Sequence, residues 1–166
     1  MEDYYKNYKF IVKEDVGKNT LNAYHMIKVY SPKVRSTKLL QSINGGGNFS
    51  LYLQDRFFSF EIDNETKRIS SFNGELTFYK IKKKDLFLPA TIKDGILKLD
   101  TNADLPQGTG QYVKFDTNNI FYDKKHKILQ IGSIDAEDIT YKYFNNAYVQ
   151  IKNGELIGLL FTEIEF

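Results

Sequence analysis

Two pairs of carboxylates in this 166-residue sequence stand at a spacing that could do chemistry: Glu61 with Asp63, and Glu163 with Glu165. Residues two apart share one face of a strand, so each pair would present both acids to the same side. Paired carboxylates are the equipment of glycoside hydrolysis, but there the fold sets their separation, and alternate acids occur in any β protein of this size. Both pairs therefore read as solvated faces. The two histidines, His25 and His126, lack HExxH-type spacing, and the chain has no cysteine, which excludes disulfides, thiolate zinc ligands and a cysteine nucleophile together. His25 reads as a hydrogen-bonded residue on a strand, and His126, between Lys125 and Lys127, as a solvated one in a loop. Gly45-Gly46-Gly47-Asn48 has the backbone N–H density of an anion-binding loop. No Gly-Lys-Ser or Gly-Lys-Thr follows it, so it reads as a connector. No nucleophile, base and orienting group assemble into a motif, and the sequence predicts no catalytic residue, no metal and no cofactor.

What remains is binding chemistry. Lys80, Lys82, Lys83 and Lys84 beside Phe78 and Tyr79 interleave cations with aromatics, a pattern that tracks phosphates and stacks bases. The formal charge of the whole chain is only +2, which supplies little of the general attraction a nucleic-acid protein needs. Lysines at a strand end also discourage edge pairing, so the sequence disfavours nucleic acid as a partner. Charge is nevertheless polarised: nine Lys or Arg against three acids from Lys6 to Arg56, and two against six from Ser133 to Phe166. Within the acidic end, Asp135, Glu137, Asp138, Tyr141 and Tyr143 are the candidate binding residues, since tyrosine offers large contact area at low entropic cost.

These groups need a scaffold, and the sequence describes an antiparallel β one. Asn73-Gly74, Asp94-Gly95 and Asn153-Gly154 each sit between apolar runs, the signature of two-residue type I′ hairpin turns. Short strands are expected at Tyr8 to Lys13, Ala23 to Tyr30, Phe49 to Leu53, Phe58 to Ile62, Ile69 to Phe72, Leu76 to Ile81, Leu86 to Leu88 and Ile96 to Leu99. Hairpins over Phe121 to Ile131 and Ile139 to Ile151 follow, closed by a last strand from Leu156 to Phe161. One helix is expected, with Ser31 as N-cap, Pro32 as first residue, Leu39, Leu40 and Ile43 as its buried face and Gly45 as its stop. Thr101 to Gln111, with Pro106, Gly108 and Gly110, is the longest loop signal and the one place where the chain could divide into subdomains. The run Phe60-Glu61-Ile62-Asp63 with Lys67-Arg68-Ile69 is echoed by Phe121-Tyr122-Asp123 with Lys127-Ile128-Leu129, each followed by an Asn-Gly-Glu-Leu turn, which reads as shared hairpin grammar rather than duplication.

Hydrophobic residues make up 42% of the chain and aromatics 15%, enough for one sizeable core at this length. The expected fold is a mainly β, antiparallel sandwich or barrel of successive hairpins, with at most one or two short helices, in a single domain over 1–166. Tyr122-Asp123, the alternation Leu129-x-Ile131 and Asn153-Gly154-Glu155-Leu156-Ile157-Gly158 resemble a short bacterial β-hairpin family of unassigned function. The resemblance covers residues 119–161 and carries no catalytic motif. Met1-Glu2-Asp3-Tyr4-Tyr5 does not resemble a signal peptide, and no apolar run approaches the roughly 20 residues that span a bilayer, so a cytoplasmic location is expected. The expected function is a non-catalytic protein-binding module of the immunity or inhibitor type, acting by stoichiometric binding. The alternative is a barrel that encloses a small apolar or aromatic ligand, although the Gly-x-Trp of lipocalins is missing. A continuous apolar cavity would favour the ligand, and a filled core with a tyrosine-rich outer face the protein partner.

Overall fold

The computed structural model describes residues 4–14, 24–29, 37–42, 49–77 and 79–165. Fourteen strands, and no helix, are found among them, in two sheets. In spatial order the first sheet is β1 (Lys9–Glu14), β8 (Ile92–Asp100), β12 (Thr140–Phe144), β13 (Ala147–Lys152), β14 (Glu155–Phe161), β11 (Ile128–Gly132), β10 (Ile120–Asp123) and β7 (Lys82–Lys83). The second is β2 (Tyr24–Val29), β3 (Thr37–Ser42), β6 (Ile69–Glu75), β5 (Phe58–Ile62), β4 (Phe49–Leu53) and β9 (Thr109–Val113). Neighbours run antiparallel except β4 with β9, β7 with β10 and β8 with β12. Both sheets keep two edge strands, so the fold is an open sandwich and not a closed barrel.

Aromatic side chains fill the space between the sheets. Phe10 of β1 meets Phe60 of β5 edge-on at 6.0 Å, Phe161 of β14 lies against Phe72 of β6 at 5.3 Å, and Tyr143 of β12 meets Phe60 at 6.5 Å. Buried residues of both sheets form one continuous cluster from Phe10 to Ile164. Removing each of Phe58, Phe60, Phe72 and Phe161 from water contributes about 1.5–3 kcal/mol, which makes the phenylalanines the main adhesive between the layers.

Of the three Asn/Asp-Gly pairs, one is a turn. Asn153 (φ 54°) and Gly154 (φ 78°) link β13 to β14 as a two-residue hairpin, as expected. Gly74 and Gly95 instead lie inside β6 and β8. Their glycines serve close approach: a Cβ on Gly74 would stand 2.8 Å from the Phe72 ring, and one on Gly95 2.3 Å from Val12 Cγ1 of β1. The expected helix is also corrected, because Leu39 and Leu40 belong to β3, which pairs with β2 on one side and β6 on the other. A ladder on both sides satisfies the backbone as fully as a helix would, and the spacing of Leu39, Leu40 and Ile43 does not separate the two. Ser31, Pro32, Ile43 and the glycines 45–47 lie outside the described residues. Two expected strands are not found among the described residues: near the run 76–81 Lys82–Lys83 is the paired segment, and Leu86 to Leu88 belongs to a link.

The echoed motif is a real structural likeness. In both hairpins an aspartate opens the loop and accepts from the backbone N–H groups two and three residues on: Asp63 from Glu65 and Thr66, Asp123 from Lys125 and His126. Four residues after each, Lys67 (φ 64°) and Lys127 (φ 56°) close the loop in the left-handed region. The loops sit in different sheets, one joining β5 to β6 and the other β10 to β11.

Candidate docking face

The outward face of the eight-stranded sheet carries two links that no local pattern announces. β7 and β8 lie six strand spacings apart, roughly 29 Å at about 4.8 Å each. The nine steps from Lys83 to Ile92 reach only roughly 30–32 Å when extended, so residues 84–91 must cross the face as a nearly taut strap. Leu86 and Pro89 of the strap turn inward and are buried, while Phe87 and Leu88 turn out. Leu86 packs on an outer cluster made by Ile128 of β11, Tyr148 of β13 and Leu160 of β14.

Asp123 fixes the near end of the strap. Its Oδ2 accepts the Leu86 backbone N–H at 2.8 Å and faces His126 Nδ1 at 2.6 Å, while Oδ1 takes the N–H groups of Lys125 and His126. These bonds favour the charged form, led by the one from Leu86, and hold the carboxyl well below the usual range. His126 is exposed in the loop, as its lysine neighbours suggest, but its ring is also held by Asp123 and Phe87. Its side chain is 36% exposed, and its ring centre lies 5.2 Å from that of Phe87.

The second link, 133–139, joins β11 to β12 over the same face. It spans three strand spacings, roughly 14 Å, with eight steps, and uses the slack for a turn in which Asp138 N–H donates to the Asp135 carbonyl at 3.3 Å. Gln150 of β13, only 3% exposed, holds that turn from below. Its Oε1 accepts the Asp135 N–H at 2.8 Å, and its Nε2 donates to the Asp135 carbonyl at 2.7 Å and to Thr140 Oγ1 at 2.9 Å. A glutamine is suited to this because a buried amide can donate and accept at once.

Of the residues expected to bind, the structure brings Asp135, Glu137 and Asp138 together on this loop, exposed. It does not bring the tyrosines to them. Tyr141 and Tyr143 alternate with Thr140 and Lys142 along β12 and point to the inner face, where Tyr141 packs on the core and Tyr143 is 3% exposed. A buried Tyr143 has no face for a partner, and its place as a binding residue is corrected accordingly. The apolar groups at the end of the acidic loop are ones that sequence reasoning missed: Ile139 and Ile92, 40% and 37% exposed. Ile139 is set next to the start of β8 by the bond from Thr140 N–H to the Thr91 carbonyl, 3.0 Å.

The carboxylate pairs separate in the same way. Glu61 accepts from Ser50 Oγ at 3.0 Å and its carboxyl is pushed up by burial, whereas Asp63 is held down by its loop bonds to Thr66. Glu165 pairs with Lys127, and Glu163 takes a left-handed φ of 58° at the end of β14. Neither pair forms a joint site. On the other sheet the outer face is aromatic: Tyr112 of β9 is stacked between Tyr4, at 4.6 Å, and Tyr52 of β4, at 4.9 Å.

No family model, curated protein or solved structure matches this chain. Among the described residues, no helix is long and apolar enough to cross a membrane.

Proposed function

We propose that this chain is a non-catalytic protein-binding module of the immunity or inhibitor type, acting in the cytoplasm by stoichiometric docking on a protein partner. The observation that carries the proposal is the acidic end of the outer face. There Ile139 and, across the β8–β12 pairing, Ile92 expose apolar surface at the end of the loop that carries Asp135, Glu137 and Asp138. Apolar anchors with a charged rim are the composition of docking patches, because the anchors supply burial energy and the charges steer the encounter. Among the described residues no ion pair engages these three carboxylates, so their charge is available to a basic partner. Gln150 and Asp123 hold both links from below, and a preorganised surface loses little entropy on binding. The filled core and the tyrosine column on the other sheet favour a protein partner over an enclosed ligand.

The test compares the wild type with two variants, Ile92→Ser/Ile139→Ser and Asp135→Lys/Glu137→Lys/Asp138→Lys, as immobilised baits for native cytoplasm. A partner retained by the wild type, lost with the first variant, slower to associate with the second and present in a fixed molar ratio by sedimentation supports the proposal. Equal retention by all three baits would sink it.

A further inference from the structure

At the basic end of the strap, lysines distant in sequence converge. Lys82, Lys83 and Lys84 of β7 and its exit, together with Lys124 and Lys127 of the β10–β11 hairpin, line one groove of about 910 Å3. The acids in the groove are largely engaged. Asp123 spends both oxygens on backbone N–H groups and His126, and Glu165 is paired with Lys127. Among the described residues no carboxylate lies within ion-pair distance of Lys82, Lys83, Lys84 or Lys124, which leaves four cations against Asp85. Lys82 and Lys84 stand over one ring, with Nζ atoms 5.6 and 4.7 Å from the centre of Phe121. That contact holds the two charges on one face.

An exposed aromatic stands along the strap from the groove. Phe87 lies two residues beyond Asp85, is 72% exposed, and rests one side of its ring near His126, itself two residues beyond Lys124. Phe87 is the most exposed large hydrophobic side chain among the described residues, so its ring face is open to a stacking ligand.

We propose that this groove binds single-stranded nucleic acid, with the lysines tracking phosphates and Phe87 stacking a base. The proposal is independent of protein docking at the acidic end of the strap. Sequence alone disfavours nucleic acid because the chain as a whole is nearly neutral; the fold supplies the local field by adding the hairpin lysines to Lys82–Lys84. Two features favour a nucleic-acid strand over other anions. A groove follows a chain, whereas a planar bilayer meets only its rim. An acidic peptide would use the lysines but not the ring, while every base has a face to stack.

The test is fluorescence anisotropy with a labelled 15-mer of deoxythymidine, at several salt concentrations. The expected result is binding that weakens with salt. In Lys82→Gln/Lys84→Gln/Lys124→Gln the magnitude of the logarithmic salt slope should fall by about 2, at about 0.7 for each phosphate no longer neutralised. Phe87→Ala should weaken binding by about fivefold or more with an unchanged salt slope, because stacking is not ionic. All four residues are exposed, and circular dichroism melts confirm that the variants stay folded. Three outcomes overturn the proposal: no binding at low salt, binding unchanged in the lysine variant, or binding indifferent to Phe87 and displaced by poly-glutamate at equal charge. Tight binding to phosphatidylserine vesicles without oligonucleotide binding overturns it too, and assigns the lysines to a lipid surface.

Discussion

Replacing Gln150 with leucine should loosen the acidic loop without touching a single exposed residue. The side chain makes three hydrogen bonds, two to the Asp135 backbone and one to Thr140. Each contributes about 1 kcal/mol net, for an upper figure of about 3 kcal/mol. Asp135 is exposed and its backbone can recover water, whereas Thr140, fully buried, keeps an unmet hydroxyl at about 1–3 kcal/mol. Leucine is near in volume and returns some apolar burial. The expected net loss in Gln150→Leu is therefore about 2 kcal/mol, a fall in Tm of about 4–8 °C for a chain of this size. Urea unfolding gives the free energy, and amide exchange at Asp135 gives the local effect. That amide should exchange far faster in the variant, while amides of β13 and β14 change only by the global loss. A stability change under about 0.5 kcal/mol, with Asp135 as protected as before, would refute the claim that Gln150 holds this loop.

The glycines separate turn from packing. Gly95→Ala should cost about 1–3 kcal/mol, because its Cβ would overlap Val12 Cγ1, and adding Val12→Ala should recover part of that in thermal melts. Gly154→Val should cost more than about 1 kcal/mol and Gly154→Asn less, since both bring a Cβ against Lys9 but Asn tolerates a positive φ and a β-branched residue does not. Gly74→Asn should be damaging, as its surroundings are the Phe72 and Phe58 rings in a strand. Asp123 adds a pH dependence. Its carboxyl is depressed in the folded state, so its contribution is whole above the ordinary aspartate pKa of about 4 and is lost as pH falls toward the folded value. Acid unfolding curves below pH about 4 should thus be shallower for Asp123→Asn than for wild type; parallel curves would mean that the strap anchor does not depend on that charge.

Much of the strand order was readable because period-two alternation and loop-opening aspartates are local. Phe49, Leu51 and Leu53 announce β4, and Asp63 and Asp123 announce their hairpins from bonds made within three residues. What failed was long-range. Asn73-Gly74 and Asp94-Gly95 have the composition of turns, yet the reason for each glycine is a side chain elsewhere, the Phe58 ring or Val12. Leu39 and Leu40 carry no signal that two strands wait to pair on either side. The candidate face was legible only in part. Asp135, Glu137 and Asp138 form a visible acidic run next to Ile139, but Ile92 is brought to it only by the parallel pairing of β8 with β12, which no local pattern announces. Tyr141 and Tyr143 misled for the same reason, since which side of β12 faces the core depends on its neighbours.

The most direct measurement of the central claim is calorimetric titration of the captured partner into purified wild type and into Ile92→Ser/Ile139→Ser. The proposal requires saturation at a fixed stoichiometry with wild type and affinity reduced about tenfold or more in the variant, each lost anchor removing about 1 kcal/mol or more. It also requires a slower approach and a weaker salt dependence when Asp135, Glu137 and Asp138 are reversed to lysine. Undiminished affinity in the apolar variant would contradict the docking face, and turnover of the partner in place of saturable binding would contradict a non-catalytic role.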